Sequence, residues 1–202
     1  CGKTTLVEII AGYVWPQKGA VHVFGKRYGE VNLCDLRKRI GYVSPWIFNR
    51  MNNRILLRDV VASGLDASAG FWGDLDDAVI RKVKRSLRFF GIQDLHDRPF
   101  GQCSSGQQLK AMLARALFNN PKIVILDEPF AQLDIGARLN MYTHLQQLSE
   151  QRNAPQVIMI THHLEDIQPF FTHGMIMKEG KILKQGLRRS ILDKKFLNEV
   201  FQ

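Results

Sequence analysis

No stretch of this sequence approaches the roughly 20 consecutive apolar residues that a helix needs to cross a bilayer. The longest apolar runs, Ile123–Leu126 and Val157–Ile160, have the length of buried strands. Cysteine is scarce too: Cys1, Cys34 and Cys103 are the only three in 202 residues, widely spaced and without a CxxC pair. That argues against a cysteine zinc site and against a disulfide framework, and fits a reducing, cytoplasmic setting. Acidic residues are in the minority, 19 against 28 Lys and Arg. The excess gathers in Arg37-Lys38-Arg39, Arg81 to Arg88, Arg188-Arg189 and Lys194-Lys195. A basic face can serve nucleic acid or an anionic membrane surface. Here Arg81, Lys82, Lys84, Arg85 and Arg88 alternate with Val83, Leu87 and Phe89 at amphipathic spacing, which favours an ordinary solvated helix face.

What is present is an alternation of short apolar runs and helical periods. Lys3 to Ala11 carries Leu6, Ile9 and Ile10 on one face, with Gly12 placed to end the helix. The run Ala20–Phe24 reads as a strand after the turn Pro16–Gly19. Asp35 is placed to cap a short basic helix before the strand Ile40–Val43, and residues 44–53 lose periodicity. Helical spacing returns from Arg58 to about Phe90, broken near Ala69–Gly73. A helix from about Ser105 to Asn119, a strand at Lys122–Leu126, a helix from Ile135 to Arg152 and a strand at Gln156–Ile160 follow. The chain then turns through a hairpin at Glu179-Gly180. This order predicts an α/β fold with a mostly parallel sheet. The expected division is an incomplete core part at 1–53, a helical insertion at 54–98, the rest of the core at 99–186, and a helical tail at 187–202.

Several segments carry chemistry at predicted strand–helix junctions. Gly2-Lys3-Thr4-Thr5 opens a helix and matches the end of a phosphate-binding loop, G-x-x-x-x-G-K-[ST]. Helix N-terminal amides and the aligned peptide dipoles receive phosphates there. Lys3 would reach the β- and γ-phosphates, Thr4 would ligate Mg²⁺, and Thr5 would support the α-phosphate side. Ile123–Leu126 delivers two adjacent carboxylates, Asp127 and Glu128, at the strand edge where open α/β sheets bind ligands. Asp127 suits the metal and Glu128 suits a general base for an attacking water.

Cys103-Ser104-Ser105-Gly106-Gln107-Gln108, opening a helix that continues into Leu113-Ala114-Arg115-Ala116-Leu117, resembles the signature sequence L-S-G-G-Q of ATP-binding-cassette (ABC) ATPases. With that resemblance in hand, Ala131-Gln132-Leu133-Asp134 is similar to the family's D-loop, with Asp134 at the matching position. Thr161-His162 is similar to its switch histidine, with His162 toward the γ-phosphate. The matching segments occur in family order across nearly the whole chain, and the first falls inside the phosphate-binding loop, as if the sequence began part-way through it. The resemblance implies a P-loop NTPase of ABC type with an inserted α-helical subdomain, ATP and Mg²⁺ as cofactors, and hydrolysis by Glu128 and His162. It further implies a head-to-tail homodimer, or a paired ABC domain, in which Ser104, Ser105, Gly106 and Gln107 face the nucleotide of the opposite subunit.

Four positions depart from the family pattern, one of them His163, which takes the place usually held by Asp. Cys103 stands for Leu and Ser105 for the first signature Gly. Pro45 occupies the place of a glutamine that touches Mg²⁺ and couples the site to membrane helices; proline offers neither a side-chain oxygen nor an N–H. The segments Val43–Ile47, Arg58–Gly64 and Ala69-Gly70-Phe71 resemble an ABC branch labelled molybdate-transport-associated or photorepair-like. The expected function is an ATP-hydrolysing subunit, cytoplasmic or peripheral on the inner face of the membrane, serving a permease on a separate chain. Two alternatives rank below it: a soluble ABC ATPase acting on nucleic acid or ribosomes, and a regulatory module that binds ATP without turnover.

Overall fold

The structure, a computed structural model, describes residues 2–67 and 75–193. Gly2 stands at φ 87°, in the left-handed region that a Cβ penalises, and starts α1 (Lys3–Ile10). The expected strand Ala20–Phe24 shortens to β1 (His22–Val23), because Phe24 at φ 52° and Gly25 at φ 74° turn the chain into β2 (Lys26–Arg27). In α2 (Leu33–Arg37) the cap is Asn32, whose side-chain oxygen accepts from the Cys34 N–H at 2.9 Å; Asp35 lies inside the helix instead of ahead of it. After β3 (Ile40–Val43) comes a helix that shows no period in the sequence, α3 (Pro45–Phe48). Local chemistry builds it: Ser44 accepts from the Ile47 N–H at 3.4 Å, and Pro45 brings a preset φ to the first helical position.

Next come α4 (Leu57–Ala62), a 3-10 turn at Ser63–Asp66, and α5 (Asp77–Phe89), whose Asp76 cap accepts from the Val79 N–H at 2.7 Å. The break expected near Ala69–Gly73 lies outside the described residues, as do Cys1 and the cluster Lys194-Lys195. The remaining order is α6 (Ser105–Leu117), β4 (Ile123–Asp127), α7 (Ile135–Ser149), β5 (Gln156–Ile160), β6 (His173–Lys178), β7 (Lys181–Leu187) and α8 (Arg188–Ile191). Glu179 at φ 51° and Gly180 at φ 76° form the expected turn between β6 and β7. Of the expected tail 187–202, α8 is the described part.

The central sheet is parallel in the order β3-β4-β5, with Val43 opposite Leu126 and Asp127 opposite Ile160. The α/β expectation is therefore met. Buried on both faces, β3 and β4 read as near-continuous apolar runs, as parallel strands do. The helix α6 lies against β3 so closely that a Cβ on Gly41 would sit 2.5 Å from the Ala116 carbonyl oxygen. A Cβ on Gly64, just past α4, would sit 2.4 Å from the Arg115 carbonyl oxygen. Leu57, Val60 and Val61 of α4 and Val83 and Leu87 of α5 are fully buried, packed with α6 into one core. Arg115, 4% exposed in that core, donates through Nε to the Ser63 hydroxyl at 3.0 Å.

The obstruction at Gly41 is backbone, which cannot swing aside as a flexible side chain can. Gly41→Ala should destabilise the protein by about 1–3 kcal/mol through overpacking, read as a lower urea midpoint. An unchanged midpoint would mean that α6 can lift from the sheet at no cost.

Candidate functional site

Parallel strands bring their carboxyl ends to one edge, so Ser44, Asp127 with Glu128, and Thr161 with His162 emerge together. Glu128 is fixed there by its N–H, which donates to the Ile160 carbonyl at 3.0 Å. Its backbone is left-handed at φ 50°, a strained setting for a residue with a Cβ. The side chain then meets His162, whose Nδ1 lies 2.5 Å from Glu128 Oε2. His162 is the more open partner, 57% exposed against 28% for Glu128. The His162 and His163 rings stack with centroids 3.9 Å apart.

Asp127 is buried, and its Oδ1 has no hydrogen-bond partner. Burial raises its carboxyl above the usual aspartate range; a hydrogen bond with Thr4 opposes this, the Glu128 charge adds to it, and Lys3 lowers it. Those causes place Lys3 and Thr4 of α1 beside Asp127 and Glu128. At its start α1 has no side-chain cap and no acidic residue in its first turn, so its leading amides and dipole are left for an anion. Thr5 is exposed on the same turn. A buried carboxylate oxygen without a partner, beside a threonine hydroxyl, is a donor set that fits a hard cation such as Mg²⁺. Lys3, Thr4, Asp127, Glu128 and His162 are thus brought together.

The signature-like residues form a second cluster at the start of α6. Ser104 and Gln107 make a reciprocal capping box: the Gln107 N–H donates to Ser104 Oγ at 3.3 Å, and the Ser104 N–H donates to Gln107 Oε1 at 3.0 Å. A Cβ on Gly106 would lie 3.2 Å from the Ala137 Cβ of α7, and Ser105 follows the cap on the first turn. Among the described residues, the side-chain hydrogen bonds of Ser104 and Gln107 stay within this turn, apart from the Lys3–His162 group. Asp134 caps α7, accepting from the Ala137 N–H at 2.7 Å.

Other features at this edge escape a residue-by-residue motif search. Ile135 and Leu139, on the first turns of α7, are 80% and 59% exposed; apolar residues four apart directly after a cap were the available signal. Pro45 begins α3, and Trp46 beside it holds Arg50 over its ring at 3.7 Å. Tyr42, 2% exposed on β3, has its hydroxyl pushed up to about 12, chiefly by burial. A cavity of about 1030 Å³ runs between α1, β5, β6 and α8, mostly along apolar side chains, and meets the site at Lys3, Thr161, His162 and His163.

The family model described as "ABC transporter" matches residues 1–131 of this chain. The chain is 29% identical over 201 residues to a putative ABC transporter ATP-binding protein of Streptococcus mutans, covering 100% of this chain and 77% of that protein. It is 30% identical over 201 residues to the uncharacterized ABC transporter ATP-binding protein YmeB of Lactococcus lactis, covering 100% of this chain and 78% of that one. Among solved structures it resembles the dimeric, post-hydrolysis ATP-binding cassette MJ0796 bound to ADP and Pi, with a TM-score of 0.77 and 22% identity over 92% of this chain and 80% of that one.

The raised carboxyl of Asp127 has a signed consequence for the protein without nucleotide or metal. A folded-state pKa above the unfolded value means the folded form binds protons more readily, so stability falls as pH rises through that interval. Asp127→Asn keeps an oxygen for Thr4 and removes the buried charge. Its Tm should exceed that of the wild type at neutral pH, and the gap should close below about pH 4. A variant less stable than wild type at pH 7 would contradict the burial argument.

Proposed function

The chain belongs to the ABC transporter family as an ATP-binding, ATP-hydrolysing domain that energises transport, and on that premise we propose a composite site shared between two such domains. The observation that carries the proposal is the Glu128–His162 pair, held at the ends of β4 and β5 next to Asp127, Thr4 and Lys3. In this reading, the amides that start α1, together with Gly2, Lys3 and Thr5, hold the phosphates of ATP. Thr4 and Asp127 hold Mg²⁺, which neutralises phosphate charge when bound. Glu128 accepts the proton of the attacking water, and His162 keeps the Glu128 carboxylate aimed while donating toward the terminal phosphate. Proton transfer of this kind needs hydrogen-bond reach, and the left-handed backbone at Glu128 swings that side chain toward His162.

The second cluster has no nucleotide of its own to serve within this chain. We assign Ser104, Ser105, Gly106 and Gln107 to the terminal phosphate held by a second subunit, with Asp134 crossing the interface. The exposed Ile135 and Leu139 beside Asp134 support an interface on that side of α7, as does the dimeric state of the solved relative. ATP then acts as glue between two domains, and hydrolysis releases them, a ligand-driven shift between two states.

Among the described residues no helix is long and apolar enough to cross a membrane. We therefore place the transport path on a permease carried elsewhere, with this domain peripheral at the inner face. We assign the contact with the permease to the expected helical insertion, whose described helices are α4 and α5. Pro45 removes the side-chain oxygen that would link this edge to the metal, so coupling runs through the packing of α3, where Trp46 and Arg50 stack, instead of a glutamine. We assign the chain to the molybdate-transport-associated or photorepair-like branch, a reading supported by the segments Val43–Ile47, Arg58–Gly64 and Ala69-Gly70-Phe71.

Glu128→Gln should retain ATP binding and lose turnover by about 10²–10⁴-fold, the usual contribution of a general base. Steady-state phosphate release beside nucleotide binding checks this. Equal turnover in the variant and the wild type would remove Glu128 from the chemistry.

A further inference from the structure

Both neighbours of His162 are tied to one buried acid that the chemistry above does not use. Asp166 is 2% exposed. Its Oδ2 accepts from the Thr161 hydroxyl at 2.8 Å, and its Oδ1 accepts from the Tyr142 hydroxyl at 2.7 Å. Arg138 Nη1 lies 3.6 Å from the same Oδ1 and 3.8 Å from Glu165 Oε1. The Thr161 oxygen in turn accepts from the His163 N–H at 3.0 Å. A hydroxyl has one proton, so the weaker 3.5 Å approach of Thr161 to the His163 carbonyl yields to the bond with Asp166. The backbone on either side of His162 is thereby closed into a small loop around one oxygen, and that oxygen is held by Asp166.

Tyr142 and Arg138 both belong to α7, the helix that Asp134 starts. Arg138 Nη2 also donates to the Phe130 carbonyl at 3.3 Å, two residues past Glu128, and the Phe130 ring meets Tyr142 edge-on at 5.2 Å. The network therefore reaches the Glu128 segment, the α7 start and the His162 loop. Asp166 at its centre is removed from water, where a partner lost leaves the carboxylate less satisfied.

We infer that Thr161 and Asp166 are positioning residues that hold His162 against Glu128 and tie its position to that of α7. The inference rests on the proposed role of His162 in the ATP site. If α7 shifts when a second subunit meets Asp134, Arg138 and Tyr142 carry the shift to Asp166, and Thr161 passes it to His162. No side chain of the network touches the nucleotide in this account; its effect runs through the geometry of His162 alone.

The test is a double-mutant cycle in the full chain. Thr161→Val removes the hydroxyl at nearly constant shape, and Thr161→Ser retains it. Misplacing a positioned group by about 1 Å can cost on the order of 10²-fold, so Thr161→Val should lower kcat by roughly 10–100-fold while KM for ATP stays within about twofold. Thr161→Ser should recover most of that loss. In a His162→Ala background, Thr161→Val should cause no further fall, because both changes act on one step. Asp166→Ala, which offers Thr161 no acceptor, should follow the same pattern and serves if Thr161→Val folds poorly. An undiminished kcat in both variants, or an equal further loss in the His162→Ala background, overturns the inference. If His162→Ala itself turns over like the wild type, the role of His162 falls and takes this inference with it.

Discussion

The register of β4 against β5 is the constraint on which the site depends. Asp127 pairs with Ile160, and the next amide, that of Glu128, closes the ladder on the Ile160 carbonyl at 3.0 Å. One residue beyond Ile160 comes Thr161, and then His162. A slip of one residue would turn Asp127 to the opposite face of the sheet and part Glu128 from His162. The register is in turn secured by packing: Val124, Ile125 and Leu126 are fully buried, so a slip would exchange side chains of different shape between two close-packed faces. Core packing and site geometry are for this reason a single requirement.

Several features at and beside the strand ends are costly to the fold and suit the proposed chemistry. Glu128 sits in left-handed backbone, Asp127 keeps a buried oxygen without a partner, and α1 begins without a side-chain cap. Each is a local violation of what stability alone would select, and they occur within one small volume. Such clustering is expected where a site is preorganised for a charged ligand. Single features of these kinds recur elsewhere, at the uncapped start of α4 and at the left-handed Phe24 and Glu179, while Asn32, Ser44, Asp76, Ser104 and Asp134 cap their helices in the ordinary way.

Much of this was legible in the residues. The apolar run before Asp127 forecast a buried strand ending in carboxylates, and Gln156–Ile160 forecast its partner to the residue. Ser104 and Asp134 were visible as helix starts because capping chemistry is local. What escaped is either shorter than one helical period or non-local. The four-residue α3 cannot show a period, and the cap of α2 proved to be Asn32 because two polar candidates lay within four residues of each other. Phe24 ended a strand early by entering a turn, which no hydrophobic pattern encodes. The tie between Tyr142 and Asp166 spans 24 positions, and nothing in either residue type announces it.

The central claim is that two chains complete one site, each offering the start of α6 to the nucleotide held by the other. Sedimentation equilibrium of the Glu128→Gln chain, with and without Mg-ATP, measures this directly when paired with Ser104→Asp. Aspartate caps a helix as well as serine does, so the fold of α6 is kept, while its charge opposes a phosphate. The account predicts a monomer without nucleotide, a dimer with Mg-ATP, and a monomer again under Mg-ATP once Ser104→Asp is added. An ATP-saturated monomer of the Glu128→Gln chain, or a dimer indifferent to the charge at position 104, would contradict it.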